Sequence, residues 1–361
     1  MVRVPICQKK VKEELTIGGA LMFITNIHRK FVNILARTID TLIATHLVKV
    51  RIFRITFRQK PCDPPLPEAD EDDEPCLPKA GVIPKWFNEL LYKWNINFID
   101  LSFNKLQGDL PNPPDGIYYF SASNNNFTGG ISPTICNGRS LNMLILSHNN
   151  LSGDIPQCLG TFPSLQVLDL QINHFHGSIP AYFSKTNALE TIKLNGNQLE
   201  GPVPQCLAHC TKLEVLDLGD NKIEDVFPNW LETLEELQVL SLRHNKFHGT
   251  ITGLSTTKLR ILDASNNNFN GPLPMQYFRE FQGMMTVDDS SQEYMITNGS
   301  YNDSVVVIMK GQVIELARIL TIFTTIDMSN NLFEGEIPHV IGVLYSLKGL
   351  NLSHNAITGK L

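Results

Sequence analysis

The 361-residue chain has no run of about 18 consecutive apolar residues, the length that a membrane-spanning helix requires. It also lacks a Walker-type nucleotide loop, the His-Arg-Asp and Asp-Phe-Gly motifs of kinases and the Gly-x-Ser-x-Gly turn of many hydrolases. Its ten histidines and seven cysteines do not show the spacing of a structural zinc site. These absences predict a chain that is not an enzyme, needs no cofactor or metal ion, and contains no membrane anchor.

What the sequence does have is a repeat that runs from Ile96 to its last residue. The repeated pattern is Leu-x-x-Leu-x-Leu-x-x-Asn, often followed by Gly-x-Ile-Pro. Its asparagines are Asn104, Asn125, Asn149, Asn173, Asn197, Asn221, Asn245, Asn267, Asn331 and Asn355. Every step from Asn125 to Asn245 is 24 residues, whereas the step from Asn267 to Asn331 is 64. A fixed period in this range predicts a leucine-rich-repeat solenoid with one long insertion.

Each repeat unit can be interpreted physically, and residues 165–173 serve as an example. Leu168 and Leu170 alternate with more polar residues, which is the two-residue period of a short strand. Stacked units share one core, because no single unit can bury its own leucines. The amide of Asn173 is positioned to bond backbone groups of its own and adjacent coils. The expected fold is therefore an α/β-type solenoid with a parallel concave β-sheet.

The segments after the asparagines resemble the plant-specific class of leucine-rich repeats. Gly153-Asp-Ile-Pro156, Gly177-Ser-Ile-Pro180 and Gly335-Glu-Ile-Pro338 share one form. The resemblance implies a second short strand after each asparagine and a brief helical turn on the outer side. It covers the chain from Gly81 to Leu361.

The long insertion resembles the non-repeat island of plant receptor-like proteins, which are membrane-anchored leucine-rich-repeat receptors without a kinase. Their island often has a tyrosine, eight residues and then Lys-Gly, as in Tyr301 and Lys310-Gly311 here. Residues 304–309 are rich in β-branched side chains and predict a strand that turns at Gly311, where a positive φ is permitted. We therefore expect the island to be an ordered docking element that governs recognition or receptor assembly, with Tyr301, Lys310 and Gly311 as its landmarks.

The sequence predicts five segments. Residues 1–60 form a basic, non-repeat segment with twelve Lys or Arg against three Asp or Glu, and residues 61–80 form an acidic, Pro-rich linker. Repeats occupy 81–274, the island 275–322 and further repeats 323–361. Residues 1–80 are expected to stay outside the repeat core; their basic half suggests either a nucleic-acid or membrane contact or unrelated sequence joined to the repeats. Neither end resembles a repeat cap, so we expect an interior or truncated piece of a longer protein.

The resemblance implies a non-catalytic ligand-recognition ectodomain that signals, in defence or development, through partner receptor kinases. The parent protein would lie at the extracellular face of the cell membrane, held by segments absent from this chain. A protein, peptide or glycan is the expected ligand. Nucleic acid is not expected, because the repeats carry most of the negative charge. The alternatives are a secreted inhibitor of cell-wall-degrading enzymes and a non-functional gene fragment.

Candidate ligand-contacting residues are those that depart from the common Leu-Asp-Leu-Ser wording of the concave strands: Gln171, Lys193, Asp220, Arg243 and His244. Interfaces concentrate their binding energy in a few residues, so a ligand contact is a separate hypothesis for each of these five. The alternative is that they are polar only because they lie on the protein surface. 

The cysteines and sequons add predictions about modification. Cys136 and Cys158 fall at similar offsets in neighbouring coils, which predicts a disulfide in an oxidising compartment. Cys206 and Cys210 are either bridged or buried free thiols, and the partners of Cys7, Cys62 and Cys76 stay open. Glycosylation is predicted at the sequons of Asn126, Asn150, Asn298, Asn302 and Asn351.

Overall fold

The computed structural model describes residues 52–54, 81–83, 85–93, 96–285, 294–297, 301–309 and 311–359. Within them, eleven parallel strands form one inner sheet. These strands are Ile52–Arg54, Phe98–Asp100, Tyr119–Ser121, Met143–Ile145, Val167–Asp169, Thr191–Lys193, Val215–Asp217, Val239–Ser241, Ile261–Asp263, Thr325–Asp327 and Gly349–Asn351. The predicted leucine-rich-repeat solenoid with a parallel sheet is confirmed.

The middle residue of each inner strand from Phe98–Asp100 to Thr325–Asp327 points into the solenoid and stacks on its equivalents in the neighbouring coils. Leu168 pairs with Ile192, and Ile192 with Leu216, and all three are at most 1% exposed. Rings stack in the same way further round the coil, where the centroids of Phe247, Phe269 and Phe333 lie 5.9 and 6.3 Å apart in succession. The core is therefore continuous from coil to coil, as stacking of identical units requires.

The regular spacing of the asparagines produces the predicted hydrogen-bonded ladder. The Asn149 amide nitrogen donates to the carbonyl of Leu146 in its own coil (3.1 Å) and of Ala122 in the preceding coil (2.9 Å). Its side-chain oxygen accepts from the backbone N–H of Phe127 at 3.0 Å. The other ladder asparagines from Asn125 to Asn355 repeat these bonds. Polar backbone that the coils would otherwise bury unpaired is satisfied in this way.

The residue before each ladder asparagine takes a left-handed backbone conformation. At non-glycine positions φ lies between 50° and 57°, in Phe103, Asn124, His148, Ile172, Asp220, His244, Asn266, Asn330 and His354. A β-branched residue such as Ile172 is unfavourable there, and only the surrounding ladder holds it. The sequence pattern did not predict this feature.

Short outer strands and helical turns complete each coil, as the resemblance implied. The outer strands are Gln107–Asp109, Asn126–Thr128, Ser152–Asp154, His174–Gly177, Gln198–Gly201, Lys222–Ile223, His248–Gly249, Asn268–Pro272, Leu332–Glu336 and Ala356–Thr358. The 3-10 helices are Pro133–Asn137, Gln157–Thr161, Gln205–His209, Asn229–Thr233, Gln282–Met284 and His339–Val343, and the α-helices are Lys85–Lys93 and Met275–Phe278. No helix among the described residues has the length and apolar character needed to cross a bilayer.

The insertion leaves the solenoid without interrupting its sheet, because strands Ile261–Asp263 and Thr325–Asp327 pair directly. Its first residues still belong to the repeat core, where Phe278, Phe281 and Met284 are fully buried. We therefore use "island" for residues 286–322, so the predicted start at residue 275 was too early. Apolar residues three apart at 278, 281 and 284 build a helical turn that completes the coil.

The island contains two antiparallel strand pairs. Ile296–Thr297 pairs with Tyr301–Asn302, and Val305–Met309 pairs with Gln312–Leu316. The second pair confirms the predicted strand and its turn, where Gly311 has a φ of +74°. Lys310 lies outside the described residues.

One strand of the N-terminal segment joins the inner sheet of the repeats, a contact that the sequence did not predict. Residues 52–54 pair in parallel with Phe98–Asp100 and extend the inner sheet by one strand. The edge of a sheet presents unpaired N–H and C=O groups, and an extended segment of β-forming residues such as Ile52 and Phe53 can satisfy them. The other predicted features of residues 1–80 lie outside the described residues.

Candidate functional site

The island folds back onto the concave face of the inner sheet. Its residues Met295, Val305, Val307 and Ile319 form one apolar cluster with Val215, Val239 and Ile261, which are the first residues of three consecutive inner strands. All seven side chains are at most 4% exposed. These sheet positions would face solvent on a bare solenoid, so the island replaces the concave surface of these coils with its own.

A second contact is made by Tyr301, which packs against Met143, Ile145 and Val167 in the two inner strands that lie three and two coils before Val215. Its hydroxyl donates a 3.0 Å hydrogen bond to Oδ2 of Asp169. Burial, with the nearby Asp169 carboxylate, holds the pKa of Tyr301 well above its ordinary value of 10. The tyrosine therefore stays protonated and remains a hydrogen-bond donor.

A polar cluster lies between these two contacts. Asp303 of the island is 1% exposed, and its carboxylate accepts from the hydroxyls of Thr191 (2.8 Å) and Thr297 (2.9 Å). Beside it, Nζ of Lys193 donates to Oγ of Ser304. Thr191 and Lys193 come from one inner strand, so a single coil supplies the polar partners that the island uses here.

These contacts correct two of the candidate ligand residues. Lys193 is 0% exposed, because the island covers it, and its ammonium group is bonded to the island rather than free for a ligand. Gln171 is 8% exposed, and its side-chain amide donates to Asp169 Oδ2 at 3.4 Å. The sequence identified both as departures from the repeat wording, but it did not show that their partners lie within the same chain.

The other three candidates, Asp220, Arg243 and His244, form one cluster at the turn that follows two adjacent inner strands. The Arg243 guanidinium donates to Oδ2 of Asp220, from Nε at 2.9 Å and also from Nη2. Oδ1 of the same carboxylate lies 3.0 Å from Nδ1 of His244. Side-chain exposure is 13% for Arg243, 31% for Asp220 and 72% for His244. We call these three residues the rim cluster.

Pairing within the rim cluster keeps the Arg243 guanidinium charged. Burial disfavours the charged form of Arg243, but the hydrogen bonds and charge of Asp220 outweigh it and raise the pKa of the guanidinium above its ordinary value. A paired guanidinium and carboxylate that are held before any ligand arrives lose little side-chain entropy on binding.

Inner-strand acids beside the rim cluster are shielded from water. Asp217 and Asp263 are 3% and 2% exposed, and burial raises the pKa of both carboxyl groups, that of Asp263 to about 7. Asp263 Oδ1 accepts from the N–H and hydroxyl of Ser265, at 3.0 and 2.6 Å. These aspartates occupy the Asp position of the Leu-Asp-Leu-Ser consensus. Alternation with the inward leucines predicts that this position faces solvent, whereas here it is buried. Among the described residues, no three His, Cys, Asp or Glu side chains are arranged to hold a metal ion.

The structure joins Cys136 and Cys158 by a disulfide between neighbouring 3-10 helices, the pair that the repeat offset predicts, with Cα atoms 5.7 Å apart. Cys206 and Cys210 are free thiols, and Cys210 is fully buried. Burial raises the pKa of the Cys210 thiol to about 12.

The sequons occupy different environments. Asn126 and Asn150 are exposed on the outer part of adjacent coils, which suits a glycan. Asn302 and Asn351 are half-buried, and the Asn351 amide donates to Asp327 Oδ2 at 2.9 Å. Asn298 lies outside the described residues.

Comparison with known proteins identifies the repeats. The "Leucine rich repeat" family model matches residues 165–223, 187–247 and 211–269, and a second leucine-rich-repeat model matches 140–162. Receptor-like protein 34 of Arabidopsis thaliana is 50% identical over 109 residues, and Receptor-like protein 43 of the same plant is 50% identical over 107. This chain is a leucine-rich-repeat protein related to plant receptor-like proteins.

The matched segments are 29% and 28% of this chain but only 11% and 15% of those two relatives. Among solved structures, a plant ice-binding protein is 20% identical, with a TM-score of 0.53 over 78% of each chain. The ectodomain of the Arabidopsis receptor kinase HAESA, solved with a peptide hormone, is 24% identical with a TM-score of 0.49, covering 78% of this chain and 49% of that one. At 20% identity, the likeness to the ice-binding protein shows the fold alone.

Proposed function

We propose that this leucine-rich-repeat protein is the ligand-recognition part of a plant cell-surface receptor-like protein. The observation that carries the proposal is the docking of the island on the inner sheet. Ordering an island costs conformational entropy and adds no coil to the stack. A recognition surface built from the island and the neighbouring rim cluster explains why the sequence holds it in a defined position. The relatedness to receptor-like proteins supports the same conclusion.

The recognition surface consists of the outer side of the island and the rim cluster. In the second strand pair, Val313 is 71% exposed, and Ile314 is also exposed. Apolar and β-branched groups there, with a fixed guanidinium and imidazole nearby, suit a protein or peptide, or a glycan with anionic groups. The inner strands beneath the island are not part of this surface, because their side chains are already buried.

The parent protein would carry out the remaining steps. We propose that it is held at the extracellular face of the plasma membrane and signals, in defence or development, through receptor kinases. The 11% and 15% coverage of the relatives shows how much of such a protein lies outside the matched coils. Glycans on Asn126 and Asn150 would accompany that location.

The island is tested by substitution in the full-length parent receptor. Tyr301→Phe removes the bond to Asp169, while Lys310→Ala and Gly311→Ala alter the turn of the second strand pair. Surface abundance and elicitor response are measured separately. Loss of response at normal abundance supports the proposal. An unchanged response, or a loss that only follows abundance, would contradict it.

The rim cluster is tested with Arg243→Gln and His244→Asn, since asparagine tolerates the left-handed backbone of that position. The matched control is Lys222→Gln, an exposed cation two residues after Asp220 whose Nζ donates to Gln198 Oε1 at 3.3 Å. We expect the rim variants to lose elicitor response at normal abundance and the control to retain it. Equal responses in all three would exclude the rim cluster from recognition.

A further inference from the structure

We propose that the contact between the island and the inner sheet is a pH-sensitive latch, closed in acidic surroundings and loosened near neutral pH, with Asp303 as its titrating group. The inference goes beyond ligand recognition, because it concerns how the island is held whether or not a ligand is present.

Asp303 joins the island to itself and to the sheet. Its backbone N–H donates to the Met295 carbonyl (3.3 Å), and its carbonyl accepts from the Ile319 N–H (3.1 Å). Its carboxylate accepts from Thr191 of the sheet and Thr297 of the island, whose hydroxyls are 3.0 Å apart. Met295 and Ile319 belong to the apolar cluster on the sheet. A change at this carboxylate is therefore transmitted directly to the residues that hold the island down.

The charges that face Asp303 come from both sides of the contact. Lys193 of the sheet favours the ionised carboxylate, while Asp169 of the sheet opposes it. Asp303 also interacts repulsively with Glu214, just before the next inner strand. The Tyr301 hydroxyl of the island lies near the same carboxylate and stays protonated, because its pKa is raised well above its ordinary value. The two threonine hydroxyls stabilise the carboxylate without contributing charge. The buried Asp303 carboxyl therefore has one positively charged side chain, Lys193, and two acidic ones, Asp169 and Glu214, around it.

Burial is the largest influence on Asp303 and raises its pKa from 3.8 to about 6, although the bonds from Thr191 and Thr297 lower it. Released from the sheet, the same carboxyl would titrate near its ordinary value. The docked state therefore binds the proton more tightly than the released state. Docking is strongest below about pH 4 and weakens as the pH rises through about 6. By linkage, the docking equilibrium should fall about tenfold between pH 5 and pH 7.5.

Two features make this contact suited to reversible release. In the described part of the island, the contacts with the solenoid are made by side chains and by the Thr321 carbonyl, which accepts from the Arg260 guanidinium. The strands beneath the island remain paired with each other, so release leaves the sheet intact. Release would also expose Val215, Val239 and Ile261, which are otherwise covered. The latch would thus change the chemistry of the concave surface without unfolding a coil.

The test is amide hydrogen exchange on the full chain at pH 5 and pH 7.5, with rates divided by the intrinsic rate at each pH. Exchange in strands Ile296–Thr297 and Val305–Met309 reports opening of the island, and the outer strand Asn268–Pro272 serves as the internal reference. Wild type should lose about tenfold in island protection between the two pH values. Asp303→Asn should keep its protection at both, because its amide accepts from one threonine and donates to the other as a protonated carboxyl would.

Asp115→Asn, at an exposed aspartate, is the matched control and should behave as wild type. A wild-type island with pH-independent protection would overturn the proposal, as would an equal pH response in wild type and Asp303→Asn. If Asp303→Asn is not secreted as folded protein, Thr191→Val provides the second test. It removes one donor to the carboxylate and should move the midpoint of opening to higher pH; an unchanged midpoint would also overturn the latch.

Discussion

The Tyr301 hydroxyl donates a 3.0 Å hydrogen bond to the Asp169 carboxylate, joining two residues that lie 132 positions apart in the chain. Asp169 Oδ2 also accepts from the Ser147 hydroxyl at 2.8 Å and from the Gln171 amide at 3.4 Å. One carboxylate thus organises polar groups of two coils and the island. This bond fixes the island at one end, and the apolar cluster around Val239 and Val305 fixes it at the other.

Removing the hydroxyl should loosen the island without unfolding the repeats. Tyr301→Phe keeps the ring on Met143 and Val167 but deletes a hydrogen bond to a charged acceptor, a loss of about 2 kcal/mol. We expect hydrogen exchange in Tyr301–Asn302 to accelerate by one to two orders of magnitude, with outer strands unchanged. Tyr182→Phe is the control, because Tyr182 is 57% exposed. Equal protection in Tyr301→Phe and wild type would show that the bond contributes nothing.

The asparagine ladder should contribute strongly to stability at each step. Asn197→Ala deletes bonds to the Leu170 and Leu194 carbonyls, both 3.0 Å, and leaves the buried N–H of Phe175 without its acceptor. Unpaired buried groups cost about 1–3 kcal/mol each, so we expect a loss of about 3 kcal/mol in the free energy of unfolding, measured with urea. Gln198→Ala, at the exposed next position, should change it by less than about 0.5 kcal/mol. A similar small effect at Asn197 would contradict the ladder's role.

The repeat fold could be predicted from the sequence because it depends on local spacing. Leu168, Leu170 and Asn173 specify a strand and its end, and repetition at 24 residues implies the stacking. The left-handed residue before each asparagine carried a signal that the sequence analysis did not use, because eight of these ten residues are Gly, Asn, Asp or His, which adopt this conformation most readily. Phe103 and Ile172 do not favour it, and there the hydrogen bonds of adjacent coils impose it.

The site was predicted in part. Tyr301 and the strand before Gly311 can be recognised from a short stretch of sequence. The hydrogen bond between Asp303 and Thr191 joins residues 112 positions apart, and no short stretch of sequence predicts it. A weak indication was present in the inner strand Thr191–Lys193, where Thr and Lys replace the usual Val and Asp. The sequence marks Lys193 as an unusual residue for its position in the repeat. An unusual residue that contacts a ligand cannot be distinguished by sequence from one that contacts another part of the same chain.

The disulfide should be present in secreted protein and should stabilise its two coils. Without reductant, we expect neither Cys136 nor Cys158 to react with iodoacetamide in the folded protein, as read by peptide mass. Cys206, which is partly exposed, should react, and Cys210 should not, because it is buried with a pKa of about 12. Cys136→Ala should lower stability by about 3 kcal/mol, given the 22-residue separation. Alkylation of both Cys136 and Cys158 in folded material would rule out the bridge.

Global stability should depend on the protonation of Asp263. Burial, the largest influence, raises the pKa of this carboxyl from 3.8 to about 7, with a further increase from Asp327, while Ser265 and Arg243 act in the opposite direction. The folded protein therefore binds a proton there that the unfolded chain releases between about pH 4 and pH 7. The contribution of this group to stability is complete below pH 4 and is lost as the pH rises through about 7.

The measurement is the free energy of unfolding of wild type and Asp263→Asn between pH 5 and pH 8, taken as a difference at each pH. Taking the difference removes the pH dependence that other carboxyl groups contribute equally to both proteins, and it leaves the contribution of Asp263. We expect the stability of wild type relative to Asp263→Asn to fall steadily as the pH rises, because the amide cannot ionise. Asp115→Asn, at an exposed aspartate, should show a far flatter difference. A wild-type advantage that grows with pH would show that Asp263 is ionised in the folded protein and that Arg243 outweighs its burial.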